Sequence, residues 1–134
     1  IQYQMIIGIG TDILQIERLQ AAYDRTNGRL AEKILGPDEM LVFKHRLARN
    51  HKRGIAFLAT RFAAKEAFSK ALGTGLRAPA TLQNIAVSHD ALGKPVLILA
   101  PELQALLTAK NVRHAHISIS DEKNLAAAFV VLET

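Results

Sequence analysis

Apolar positions recur along this chain with two different periods, and the changes of period divide it into elements. Ile6-Ile7-Gly8-Ile9-Gly10-Thr11-Asp12 is a short apolar run without helical spacing and predicts an opening strand. From Leu14 to Tyr23 the apolar residues return at helical spacing, and Asn27-Gly28 punctuates that segment. Arg29 to Leu35 predicts a short helix. Gly36-Pro37-Asp38-Glu39 is a helix start, because proline in the first turn loses no hydrogen bond and acids there meet the positive end of the helix dipole. That helix is expected to reach about Arg49.

Gly54 to Leu72 is the strongest helical segment, rich in alanine, phenylalanine and leucine, with Gly73-Thr74-Gly75 as its stop. Ala78-Pro79-Ala80 reads as a loop. Ile85 to His89 and Pro95 to Leu99 read as strands separated by a turn over Asp90 to Lys94, and Pro101 to Lys110 as a helix. His116 to Ser120 and Ala126 to Leu132 read as a final pair of strands, joined through Asp121-Glu122-Lys123-Asn124. No linker and no repeat of 20 to 50 residues interrupts the series. The pattern predicts one domain over residues 5–133. Residues 1–4 precede a methionine and read as an appended remnant or a flexible natural end.

Composition narrows the class. The 134 residues suffice for a single core, and hydrophobic residues make up 49%, which argues against disorder. There is no cysteine, so neither a disulfide framework nor a cysteine zinc site is possible, which fits a reducing compartment. No apolar stretch approaches the ~18 residues of a membrane span, and no cleavable signal is visible. The formal charge of +5 calls for an acidic partner. The scarcity of aromatics, with no tryptophan and two tyrosines, disfavours base stacking and hence single-stranded nucleic acid.

Two acids stand out from their surroundings. Asp12 ends the first apolar run, and Glu66 is surrounded by Phe62, Ala63, Ala67 and Phe68. A carboxylate taken out of water needs a partner, and a metal ion is an effective one. The plain alternatives are a helix cap for Asp12 and a surface pair between Glu66 and Lys70, four residues apart. Gly8-Ile9-Gly10 is not a dinucleotide fingerprint, because Ile13 occupies the third glycine position; the glycines are better explained by close packing of the strand. Gly73-Thr74-Gly75 ends a helix and also lets backbone amides approach a phosphate. Lys52, Arg53 and Arg61 supply phosphate-binding charge or a solvated basic face. His114 and His116 alternate on one strand face without a third metal ligand. A basic polyanion-binding module and a purely structural oligomer are the rival classes.

The stretches Gly8-Ile9-Gly10-Thr11-Asp12-Ile13, Arg61 through Gly75, Leu92-Gly93-Lys94-Pro95 and His116-Ile117-Ser118-Ile119-Ser120-Asp121 occur in that order. Together they resemble the small bacterial 4′-phosphopantetheinyl transferases of the holo-[acyl-carrier-protein] synthase type, over essentially Met5 to Glu133. The resemblance implies an α+β fold, with an antiparallel sheet packed on a long helix, and a homotrimer with active sites between subunits. It also implies a cytoplasmic enzyme of fatty acid biosynthesis. Such an enzyme moves 4′-phosphopantetheine from coenzyme A to a serine of apo acyl carrier protein and releases adenosine 3′,5′-bisphosphate.

Asp12 and Glu66 match the Mg2+ ligands of that family, and Lys70 matches its helix lysine. Lys52, Arg53 and Arg61 would meet the phosphates of coenzyme A, with Gly73, Thr74, Gly75, Lys94 and Pro95 nearby. Arg18, and after it Arg29, would dock the carrier protein, while nucleic acid and membrane are not expected as partners. Magnesium prefers a few carboxylates, water and phosphate oxygens, and the metal would neutralise charge on the departing bisphosphate. Lys70 can stabilise charge on the leaving oxygen. A metal-bound water and Asp12 are both candidates to take the serine proton. Asp121 stands where many relatives carry histidine, so His116 receives no catalytic role.

Overall fold

The computed structural model describes residues 3–134, so half of the four-residue N-terminal segment set apart above lies outside the described residues. The chain runs β1 (Ile6–Gln15), α1 (Ile16–Arg25), α2 (Leu30–Ile34), α3 (Pro37–Arg49) and α4 (His51–Leu72). A 3-10 turn (Leu82–Asn84) leads into β2 (Ile85–His89), β3 (Pro95–Leu99), α5 (Pro101–Ala109), β4 (His114–Asp121) and β5 (Leu125–Glu133). The bounds of α3, β2 and β3 agree with the sequence reading. The opening strand is longer than expected: it runs through Leu14 to Gln15, because β5 supplies pairing partners for the whole segment. Helix α1 therefore starts at Ile16, and Gln15 caps it without a side-chain hydrogen bond. Asp12 lies inside the strand, which removes the helix-cap reading.

Two antiparallel sheets form, one of three strands in the order β1-β5-β4 and one hairpin of β2 and β3. In the larger sheet Asp12 and Ile119 both stand opposite Ala128, one from each flank. Alternation along β5 buries Ala126, Ala128, Val130 and Leu132 on the inner face. Helix α4 lies against that face.

α4 is the hub of the fold. Buried residues occur on all sides of it, from Gly54 and Ile55 to Ala71 and Leu72, as expected for a helix enclosed by its neighbours. The Asn50 side chain accepts the Arg53 N–H at 3.2 Å at its start, and Gly73 ends it with φ 87°, a left-handed stop. The N-terminal half of α4 packs with Leu19, Ile34, Leu35 and Phe43 of α1 to α3. Its C-terminal half packs with Ile85, Leu103, Leu107, Val130 and Leu132.

β1 crosses α4 at very close range. A methyl group on Gly10 would lie 2.1 Å from the Ala67 carbonyl oxygen, and one on Gly8 would lie 1.9 Å from that of Ala71. No larger residue fits either place without moving the strand. The glycines are thus packing residues, and the contact sets where Asp12 stands relative to α4.

Candidate active site

The glycine crossing brings three of the predicted residues together. Asp12 leaves β1 on the same face as Gly8 and Gly10, while Glu66 and Lys70 lie one turn apart on α4. Lys70 Nζ donates to Asp12 Oδ1 at 3.1 Å and to the Thr11 carbonyl at 3.0 Å. Partial burial raises the pKa of Glu66, the Asp12 charge raises it further, and Lys70 opposes both. The plain alternative, a Glu66–Lys70 surface pair, does not form, since the Lys70 ammonium pairs with Asp12. Half-exposed as it is, that ion pair contributes only about 0–1 kcal/mol.

Two neighbouring carboxylates with a single ammonium leave negative charge in excess, and hard oxygen donors of this kind fit a magnesium ion. Among the described residues no three histidine, aspartate or glutamate side chains stand close enough to form a metal site by themselves. The remaining ligands of any ion held by Asp12 and Glu66 must therefore come from water or a bound phosphate. His116, which the sequence reading leaves without a catalytic role, has its Nε2 2.5 Å from Glu133 Oε1. The His114 ring stacks beside it at 6.5 Å.

The basic residues gather elsewhere. Arg61 precedes Glu66 by five positions, about 140° around the helix, and faces α3 and the β2–β3 hairpin. It donates to Thr60 Oγ1 at 3.1 Å, and its Nη2 lies 3.4 Å from His89 Nε2. Burial lowers its pKa to about 10, with Glu39 opposing and Arg46 adding to the fall. Arg53, Arg61, Arg46, His89, Pro95 and Asp121 line one cavity of about 220 Å³. Within one chain, then, the acidic pair lies on the β1 side of α4 and the cationic cavity on the β4 side.

The other predicted phosphate residues do not join that cavity in a single chain. Lys52 is exposed in the first turn of α4, and Lys94 borders a separate groove along β3 and β4. Gly73, Thr74 and Gly75 follow the far end of α4. Twenty residues of helix separate Arg53 from Gly73, about 30 Å, so within one chain they stand at opposite ends of α4. Arg18 and Arg29 are both exposed, on α1 and just before α2.

Sequence reasoning missed a buried pair beneath the site. Lys65, fully buried, donates to Glu39 Oε1 at 2.7 Å, to the Ile34 carbonyl at 2.5 Å and to the Leu82 carbonyl at 3.0 Å. Glu39 also accepts the Gly36 N–H at 2.8 Å and the Val87 N–H at 2.9 Å. Burial pushes the Lys65 pKa down and Glu39 opposes it. All three donors of the ammonium are satisfied, which lets a charge sit in the core. The available signal was a lysine between Ala64 and Glu66 on a helix with few other charges near its middle.

The model of the 4′-phosphopantetheinyl transferase superfamily matches residues 8–130, and the chain belongs to that superfamily. Within it the similarity is strong to particular enzymes. The holo-[acyl-carrier-protein] synthase of Polynucleobacter asymbioticus is 66% identical over 128 residues, covering 96% of this chain and 98% of that protein. The crystal structure of the Neisseria meningitidis holo-[acyl-carrier-protein] synthase superposes with a TM-score of 0.88 at 41% identity, covering 97% of this chain and 100% of that one. The Bacillus anthracis holo-(acyl-carrier-protein) synthase, in complex with CoA (3′,5′-ADP), superposes with a TM-score of 0.79 at 39% identity, covering 97% and 98%.

Proposed function

We propose that this protein transfers the 4′-phosphopantetheine group of coenzyme A to a serine hydroxyl of apo acyl carrier protein in the cytoplasm, as a step of fatty acid biosynthesis. The observation that carries the reading is the convergence of Asp12, Glu66 and Lys70 where the glycine strand crosses α4. In the reaction the serine oxygen bonds to the pantetheine-bearing phosphorus of the diphosphate. The bond from that phosphorus to the bridging oxygen breaks, adenosine 3′,5′-bisphosphate leaves, and the serine proton passes to a base.

Asp12 and Glu66 would hold a magnesium ion, which when bound neutralises the diphosphate and favours departure of the bisphosphate. Lys70 reaches into the same space and is placed to stabilise charge on the leaving oxygen. The exposed arginines Arg18 and Arg29 would meet an acidic carrier protein, with the net charge of +5 speeding the encounter.

The acting form is read as a homotrimer. Ile7, Ile9, Ile13, Leu125 and Phe129 are exposed on the outer face of the larger sheet, an apolar patch of the kind that marks an interface. The acids and the cationic cavity occupy opposite sides of α4. A shared site, with acids from one subunit and cations from the next, would supply one coenzyme A molecule with both.

Mass spectrometry of apo acyl carrier protein, incubated with coenzyme A, magnesium and this protein, tests the reading. A gain of one phosphopantetheine group, lost on chelation, is expected. No gain under these conditions would overturn it.

A further inference from the structure

Two arginines from different helices share one aromatic ring. The guanidinium carbon of Arg46, on α3, lies 4.9 Å from the Phe57 ring centroid, and that of Arg61, on α4, lies 4.3 Å from it. Neither makes an ion pair: those formed among the described residues are Lys65–Glu39, Lys70–Asp12 and His116–Glu133. Arg61 is 6% exposed, and its buried Nε has no hydrogen-bond partner. Arg53 lines the same cavity of about 220 Å³, with Thr60 and His89 beside it and Asp121 as its one acid.

Three guanidiniums side by side repel one another, and a lone carboxylate on the cavity wall does not balance them. Stacking leaves a guanidinium's N–H groups in the plane for hydrogen bonding, and that rigid fork matches phosphate oxygens; Arg61 uses one of its N–H groups on Thr60 Oγ1 and leaves Nε unpartnered. A phosphate monoester carries up to two negative charges, whereas each phosphate of a diphosphate diester carries about one. Coenzyme A bears both kinds of group. Its diphosphate belongs with the Asp12 and Glu66 carboxylates, on the other side of α4, which leaves the monoester for the arginine cavity.

We propose that Arg46 joins Arg53 and Arg61 in holding the 3′-phosphate monoester of coenzyme A, and that it thereby selects coenzyme A over 3′-dephospho-coenzyme A. This rests on the transferase reading above. The sequence match points to Lys52, Arg53 and Arg61 for the phosphates; Arg46 lies outside its motifs, and the structure brings it in through Phe57.

Arg46→Gln tests the assignment, since Arg46 is exposed and the change leaves the core intact. Two ratios are measured on the full-length protein. One is kcat/KM for coenzyme A over that for the 3′-dephospho form. The other is calorimetric affinity for adenosine 3′,5′-bisphosphate over that for adenosine 5′-monophosphate. Both ratios are expected to fall at least tenfold in Arg46→Gln. They should move less than threefold in Arg49→Gln, which removes a neighbouring α3 charge that does not line this cavity. Equal weakening of both members of each pair, or no weakening, would overturn the proposal. Absence of transfer by the unaltered protein would overturn the reaction instead, and the calorimetric ratio would still report on Arg46.

Discussion

Lys70 Nζ stands 3.1 Å from Asp12 Oδ1 although 58 positions separate the two in the chain. The Asp12 charge in turn acts on Glu66, one turn before Lys70. The contact exists because Gly8 and Gly10 let β1 lie on the backbone of α4. Five experiments follow from the arrangement.

Removing either carboxylate should abolish function and spare the fold. Asp12→Asn and Glu66→Gln are each expected to lower transfer about 100- to 1000-fold, as for loss of one electrostatic stabiliser. Unfolding temperatures should hold or rise, because two like charges no longer face each other. A folded Glu66→Gln protein with full turnover in magnesium would reject the metal role.

The metal-free protein should lose stability as pH rises above the ordinary carboxylate range. The folded-state pKa of Glu66 is raised above 4.5. Its contribution is therefore fully present below the unfolded value and is lost as pH rises through the folded value. Glu66→Gln should flatten that part of a stability-against-pH curve measured by urea unfolding in a chelator. An unchanged slope would mean that neither burial nor Asp12 raises the Glu66 pKa.

Gly10→Ala should cost about 1–3 kcal/mol, the usual range for overpacking. The new methyl would sit 2.1 Å from the Ala67 carbonyl oxygen, so β1 has to shift and carry Asp12 with it. Urea unfolding measures the cost, and divalent-ion affinity should fall in the same variant. Wild-type values in both assays would show that the crossing is looser than described.

Lys65→Met should be among the most damaging single changes in the chain. It strands the buried Glu39 carboxylate and two carbonyls, and breaking such a pair typically costs about 3–5 kcal/mol. Calorimetric unfolding would register the loss. A melting temperature equal to wild type would remove Lys65 from the list of fold-defining residues.

Arg18→Glu separates docking from coenzyme A binding. Arg18 is exposed on α1 and does not line the arginine cavity. The Michaelis constant for carrier protein should rise about tenfold or more, consistent with reversing a charge at an interface, while that for coenzyme A stays put. Parallel rises in both constants would show that α1 is not the docking face.

The legible part of this protein lay where local chemistry and global role coincide. Pro37, Asp38 and Glu39 carry the local preferences of a helix start, and the alternation in Ile85–His89 and the apolar run of Pro95–Leu99 mark strands from local sequence. The start of α1 was less legible. Leu14 and Gln15 carry a helical pattern, yet β5 recruits them as strand because pairing with Ala126 and Leu125 satisfies their backbone. The roles of Arg46 and Glu39 had no local signature, because each depends on a neighbour far away in the chain. Gly73 and Arg53 belong to one helical segment yet stand at its opposite ends, because closeness along a helix is still distance in space.

The amino-acid sequence by itself determined most element types from periodicity, and through its family motifs it determined the α+β class and named the residues proposed to hold a metal and phosphates. Tertiary structure alone decided which of those residues meet. A strand with two glycines at the crossing lies flush on an alanine-rich helix, so Asp12 joins Glu66 and Lys70 on one side. Helical rotation turns Arg61 to the opposite side, where Phe57 and Arg46 receive it. Such encounters are set by backbone approach distances and by angle around an axis, which no linear spacing of residue types records.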